Sequence, residues 1–389
     1  MISVDEARAR LLAAAPVLET ESVPLAEACG RVLRAPVVAE RTQPPFSSSA
    51  MDGYAVRAAE IAAGPVRVVG QSAAGRRYGA PLGAGEAVRI FTGAPVPDEA
   101  DSVLIQEDAV VEGDRLSTAE RVSPGDNIRR MGLDFAAGET LFPAGTRLQP
   151  RHLALAGAGG HATLTVGRRP KIAFLATGDE LVPPGSPTGP DQIVASVTPT
   201  LAAMVASVGG ESIDLGIAPD IQAEIARRAR EALDRADILV TLGGASVGDH
   251  DLVKPALGDL GIGLDFWRVA VRPGKPLMFA SDPLVLGLPG NPVSGVVCAV
   301  LFLLPLIEAM QGAASPGPRV ETGVLGAAVG QNGPRRDHMR ARLDGGRIIP
   351  FDVQDSSMLS ILSHADALLV REPHAPPAEL GEPCQYIRL

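Results

Sequence analysis

The sequence predicts a multidomain protein of the α/β plus β class, with one doubly wound α/β domain between two β-rich units. Three observations carry this expectation. The chain has 389 residues, more than one ordinary core holds, so about two to four domains are expected. Residues 171–310 alternate short apolar runs with helical stretches, the pattern of right-handed crossovers and a largely parallel sheet. Residues 40–150, and again those beyond Gly317, break into short apolar runs between glycines and prolines, as small β units do.

The elements follow in order. Residues 1–15, MISVDEARARLLAAA, read as an amphipathic helix, with Asp5 and Glu6 where a secretion signal would be basic. VRVVG, EAVRIF and DSVLIQ are strands of the first β unit, and RHLALAGAGG (151–160) is a short helix ending in glycines. KIAFLAT is a strand, and SVTPTLAAMVASVGG a helix closed by Gly209 and Gly210. ESIDLGI is a strand, and DIQAEIARRAREALDRA a helix for which Asp220 is the expected cap. DILVTLGG is a strand and DHDLVKPALGDLG a short helix; WRVAVRPGKPLMFAS and PLVLGLPGNP follow. The apolar stretch 293–307 contains Pro305 and is shorter than the ~20 residues that cross a bilayer, so it reads as a buried helix.

Composition narrows the partners. With 46% hydrophobic and 21% charged residues the chain reads as soluble and globular, with no membrane partner. A net charge of −10 argues against nucleic acid, whose phosphates an acidic surface repels. Any anion site must then be a local basic pocket. Cys29, Cys298 and Cys384 are far apart and odd in number, which argues against a disulfide framework and fits a reducing cytoplasm.

In open α/β sheets ligands bind beyond the carboxyl ends of the strands. Four loops are expected there: Thr177–Glu180; the loop with Gly243, Gly244, Ser246, Gly248, Asp249 and Asp251; Pro273–Pro276; and Pro289–Pro292. In the last, Asn291 as N-cap and Pro292 as first helical residue need no further explanation than a helix start. Arg268 and Arg272, four apart on an expected strand, share a face, and Lys275 follows. Three cations in an acidic chain suggest an anion, with a charged edge strand as the plain alternative. Glu180, Asp220, Asp249 and Asp251 lie at the same end. Magnesium takes one or two carboxylates beside substrate phosphate, so the set suits a magnesium-bound phosphate ester. Taken singly, Asp220 reads first as a helix cap, Asp249 equally as the cap of its own helix, and His250 as an exposed residue rather than a ligand.

A rival reading is a serine hydrolase. Residues 244–248, GASVG, satisfy the nucleophile-elbow pattern between a strand and a helix. The histidine would come from later in the chain, for instance His338 or His364, both in the expected C-terminal β domain, and the basic loop would be left without a role. This reading ranks second. In the first β unit, Asp52-Gly53 in FSSSAMDGYAV, with FTGAPVP and NIRRMGLD, read only as turns and loops.

Taken together the chain resembles the MoeA family of molybdopterin molybdenumtransferases, which includes the E domain of gephyrin. SSSAMDGYAV, FTGAPVP, NIRRMGLD, ATGDEL, GGASVGDHD, VRPGKP and GLPGNPVSG occur in the family's order and spacing, nearly end to end. The resemblance implies an elongated linker domain from residues 1–43 and 139–169, with a β domain, 44–138, inserted between them. A doubly wound α/β domain like the molybdopterin adenylyltransferases follows at 170–314, then a C-terminal β domain at 315–389. It implies a homodimer whose site is shared between subunits, molybdopterin adenylyltransferase and molybdoenzyme-delivery proteins as partners, and a reaction in which magnesium, molybdate and adenylylated molybdopterin give molybdenum cofactor and AMP. By motif position Asp52, Thr92, Asp134, Glu180, Asp220 and Asp251 match catalytic positions, and Glu180, Asp249 and Asp251 the metal. Gly243, Gly244, Ser246, Gly248, Asp249, Arg268, Arg272, Lys275, Pro289, Asn291 and Pro292 match substrate positions, with Arg272 and Lys275 for the molybdate oxyanion and Ser246 a phosphate or pterin contact. Arginine's fork of donors suits such an anion. Molybdate and tungstate are nearly equal in size and charge, and the sequence does not separate them. The chain departs from the family at QIVASVT, where Val194, Ala195 and Val197 replace tyrosine, aspartate and asparagine and only Ser196 is kept. That departure leaves a degenerate binding or scaffold paralogue as the further alternative.

Overall fold

The computed structural model describes residues 1–244 and 252–389. They pack as two compact units: Pro36–Pro143 with Pro150–Thr163, and Met1–Ala35 with Ala144–Gln149 and Leu164–Leu389. The first is a β unit. Its six-stranded sheet runs in the order Ser102–Ile105, Gly53–Val56, Glu86–Ile90, Val66–Ser72, Arg115–Ser117, Val110–Glu112. Alternate residues feed opposite faces, Ala55, Val88 and Val103 one core and Val56, Ala87 and Leu104 another, as a period of two requires. The helix Pro150–Ala158 also lies in this unit.

In the second unit a five-stranded sheet is formed by β1 (Lys171–Thr177), β2 (Glu211–Ala218), β3 (Ile238–Leu242), β4 (Met278–Ser281) and β5 (Leu284–Leu288). The order is β2-β1-β3-β5-β4, parallel except for β4 against β5. Ile172, Phe174 and Val240 face the helices Val197–Ser207 and Pro292–Met310, while Ala173, Leu175 and Leu239 face Gln222–Arg235 and Val253–Asp259. Burying a side chain such as Phe174, which has no exposed surface, contributes roughly 1.5–3 kcal/mol. Because β2 and β3 flank β1 on opposite sides, the strand order reverses at β1 and β3 and opens a crevice at their carboxyl ends. The N-terminal helix, Val4–Ala14, is capped by Ser3 and packs Val4, Ala7 and Leu11 on the same core.

The apolar helix spans Pro292–Met310, long and apolar enough by composition to cross a membrane, yet 89% of its most apolar window is buried inside the protein. Ala299–Leu303 is a π-helical turn just before Pro305, which accommodates a residue without a backbone N–H.

The C-terminal strands close on themselves. Arg336–Asp344, Arg347–Pro350, Val320–Leu325, Pro383–Arg388 and Ala367–Arg371 pair in that order, and the last pairs back with the first. This small barrel accepts a further strand from the α/β domain: Val271–Arg272 pairs parallel with Arg336–Asp337. The expected longer strand carrying both Arg268 and Arg272 is not formed. Val271–Arg272 alone is extended, and the Val269 N–H donates to the Lys275 carbonyl (3.1 Å), folding the segment into a hairpin.

Candidate functional site

At the carboxyl ends of β1, β3 and β5 the second unit holds a cleft of about 1500 Å³. Each wall follows from a local feature of the sequence. After β1 the chain turns at Gly178 (φ +148°), where a Cβ would collide with the Glu180 carboxylate, so glycine lets Glu180 fold back over its own loop. Glu180 lines the cleft. After β3, Gly243 and Gly244 have φ of +91° and +59°, and a Cβ on Gly243 would stand 2.9 Å from the Thr177 carbonyl. These glycines bring β3's exit close against β1's.

Asp220 lines the cleft but does not cap the following helix. Ile221 is the N-cap, with no side-chain bond. The physical reason is a tight turn: the Ile221 N–H donates to the Pro219 carbonyl (2.7 Å) and the Asp220 N–H donates to Asp179 Oδ1 (3.0 Å). Asn291 is the N-cap of Pro292–Cys298, again without a side-chain cap bond; its Nδ2 donates to Ser356 Oγ at 3.0 Å.

A further wall comes from the C-terminal barrel: Arg335, Met339 and residues 352–356 line the cleft. Arg335 Nη1 donates to the Val271 carbonyl (3.3 Å), and Arg272 Nη1 is 3.3 Å from Asp337 Oδ2. Burial pushes the Asp337 carboxyl up, against Arg272, Arg340 and Arg335, which pull it down. The Asp355 carboxyl is held down by the Ser357 hydroxyl and N–H. Sequence reasoning missed this wall. The signals were the arginine run 335–342 and the acidic 352–355, which become meaningful only once the barrel is docked on Val271–Arg272.

The expected residues therefore divide. Glu180, Asp220, Gly243, Gly244, Arg272, Lys275, Pro289, Asn291 and Pro292 share the cleft. Arg268 is not among its lining residues; its guanidinium lies 3.9 Å over the Trp267 ring. Ser246, Gly248, Asp249 and Asp251 lie outside the described residues. Asp52, Thr92 and Asp134 belong to the other unit. There Asp52 Oδ1 accepts from the Thr92 N–H (2.7 Å) and hydroxyl (2.8 Å), and these bonds hold its carboxyl below the usual range. The Asp134 N–H donates instead to the Gln43 carbonyl, at 3.0 Å.

Among the described residues no three His, Cys, Asp or Glu side chains gather as a metal-binding group. Glu180 and Asp220 in one cleft nevertheless fit magnesium, which takes one or two carboxylates and completes its shell with water and phosphate. Val194, Ala195, Ser196 and Val197 all line the cleft, so the departure noted in the sequence is a patch of its wall. A hydrolase finds no support in the described wall. His338 is buried in the barrel, its imidazole pushed down to about 3 by burial, and the His364 ring bonds the Ser360 carbonyl.

Three stretches match known families: residues 2–160 the "MoeA N-terminal region (domain I and II)", 173–309 the "Probable molybdopterin binding domain", and 322–389 the "MoeA C-terminal region (domain IV)". The molybdopterin molybdenumtransferase 2 of Mycobacterium tuberculosis is 37% identical over 90% of this chain and 90% of its own. The molybdopterin molybdenumtransferase of Bacillus subtilis is 33% identical, over 95% and 90%. The crystal structure of the molybdopterin biosynthesis MoeA protein from Pyrococcus horikoshii matches at 27% identity and a TM-score of 0.86, covering 100% of both chains. With these matches running from end to end, the chain belongs to the MoeA family.

Proposed function

We propose that the protein is a molybdopterin molybdenumtransferase of molybdenum cofactor biosynthesis, which takes molybdate and adenylylated molybdopterin and releases AMP and the cofactor. The observation that carries this reading is one cleft lined by carboxylates, Glu180 and Asp220, and by cations, Arg272, Lys275 and Arg335. An anhydride between phosphates needs both. Relatives named as transferases speak for this chemistry over a serine hydrolase.

In this reading Arg272 and Lys275 hold the molybdate oxyanion, where a guanidinium supplies several donors in a fixed plane. The amides of Gly243 and Gly244 approach substrate phosphate, and Ser196 and Asn291 offer neutral donors beside it. Glu180, with Asp249 and Asp251, would hold a magnesium ion, which when bound polarises the phosphoanhydride. The apolar patch at Val194, Ala195 and Val197 takes a part of the substrate without charge. The protein works as a cytoplasmic homodimer whose sites are shared between subunits. It receives substrate from a molybdopterin adenylyltransferase and hands its product to molybdoenzyme-delivery proteins.

The test follows AMP release by purified protein given adenylylated molybdopterin. Release should require molybdate and a divalent cation together. Arg272→Ala or Lys275→Ala should raise the molybdate needed for half-maximal rate about tenfold or more, the loss of one charge-assisted hydrogen bond, with little change for the pterin. Molybdate-independent turnover would refute the transferase, and equal loss for both substrates would move these cations to the substrate phosphate.

A further inference from the structure

Arg272 has a side chain that is 52% exposed, and a free arginine there would sample many rotamers and lose that freedom on binding an anion. Something must hold it. Its Nη1 lies 3.3 Å from Oδ2 of Asp337, whose own side chain is only 6% exposed. The two residues meet because Arg272 and Asp337 are register partners in the short parallel pair between the α/β domain and the barrel. The Arg336 N–H fixes that register by donating to the Ala270 carbonyl at 2.9 Å. Asp337 therefore stands on a barrel strand, not on a loop, and its direction is set by the ladder of Arg336–Asp344.

Asp337 is kept where burial opposes its charge. Buried carboxylates are expensive, and stability alone gives little reason to retain one. Three guanidiniums, Arg272, Arg340 and Arg335, act on it, so it leaves part of their charge uncompensated. Only one nitrogen of the Arg272 fork is needed for Asp337, and an arginine has five N–H donors. The rest remain for the cleft that Arg272 lines.

We propose that Asp337 is a positioning residue for the oxyanion: from the C-terminal barrel it holds the Arg272 guanidinium by one edge and presents the other edge to a tetrahedral anion in the cleft. The proposal rests on the reading of Arg272 as an oxyanion ligand. It makes the barrel a determinant of the molybdate requirement, although Asp337 itself does not line the cleft.

The test compares wild type, Asp337→Asn, Arg272→Ala and the double variant, measuring half-saturation for molybdate and for adenylylated molybdopterin, with thermal midpoints alongside. Asp337→Asn should raise the molybdate value about fivefold to tenfold and change the pterin value less than about twofold. In the Arg272→Ala background it should add less than about twofold, since coupled residues are not additive. Independent, multiplying effects would overturn the proposal. So would an unchanged molybdate value in Asp337→Asn when Arg272→Ala raises it, a result that leaves the oxyanion reading standing. If Arg272→Ala itself leaves the molybdate value unchanged, it is the reading of Arg272 that fails. Should Asp337→Asn lower the midpoint, Asp337→Glu carries the test, because it keeps the charge and moves it by one methylene. Its molybdate value should lie between wild type and Asn, and a wild-type value would count against positioning.

Discussion

His338 lies inside the C-terminal barrel with Nδ1 unpaired among the described side chains. Burial is the largest cause pushing its imidazole down to about 3, with the Arg336 charge adding to it. A histidine lowered in this way is neutral in the fold while the unfolded chain takes up a proton near the ordinary value of about 6.5. Its contribution to stability is thus complete above about pH 6.5 and is lost as pH falls toward about 3. The unfolding free energy should drop by up to about 1.4 kcal/mol per pH unit from this one group across that window. In His338→Phe, denaturant titrations at stepped pH should show a slope shallower by about that amount. An unchanged slope would mean the imidazole is protonated in the folded barrel.

The helix Gln222–Arg235 shows what an element owes to its own sequence. Ile225, Ala226, Ala229 and Ala232 form its buried stripe, and Glu224 pairs with Arg227 and Arg228, three and four residues on. Those two arginines hold the Glu224 carboxyl at about 2. A lowered carboxyl contributes above its unfolded value of about 4.3 and loses that contribution as pH falls through its folded value. Glu224→Gln should therefore melt slightly below wild type at pH 7, with the gap narrowing from about pH 4 and closing as pH falls through about 2, below which both states bind the proton. A gap as wide near pH 2 as at pH 7 would point to packing instead of charge. Patterns of this local kind made the alternation of strands and helices in 171–310 legible, as well as the buried apolar helix, because period and capping are written within each segment. Asp220 was misread for a local reason of finer grain, the tight turn at Pro219–Ile221, which no cap preference encodes. The barrel wall was illegible for the opposite reason. Arg335, Met339 and residues 352–356 are brought to the cleft by the barrel, whose docking strand pairs with the α/β domain over two residues, and two residues carry no periodicity to read. Arg268 failed likewise: the hairpin closed by Val269 and Lys275 replaces the straight strand on which it would have shared a face with Arg272.

At the scale of the whole molecule, the residues matched to one reaction are divided between two compact units, Asp52, Thr92 and Asp134 in one and Glu180, Asp220 and Arg272 in the other. Asp52 is fixed in place, its carboxylate bonded twice by Thr92, although it is only partly buried and belongs to neither hydrophobic core of its sheet. Such a residue is built to meet something else. Under the shared-site dimer proposed above, Asp52 of one subunit and Asp220 of its partner complete the same site across a two-fold axis, and complementation tests this directly. Asp52→Ala and Asp220→Ala should each be inactive alone. Unfolded and refolded together at equal amounts, random pairing makes about half the dimers mixed, and two-fold symmetry gives each mixed dimer one site with both aspartates and one with neither. Activity should return to about a quarter of the wild-type value. If both aspartates served from one chain, every site in every dimer would lack one of them and mixing would restore nothing. Mass spectrometry of the refolded sample establishes that mixed dimers have formed, and mixed dimers without activity would sink the shared site.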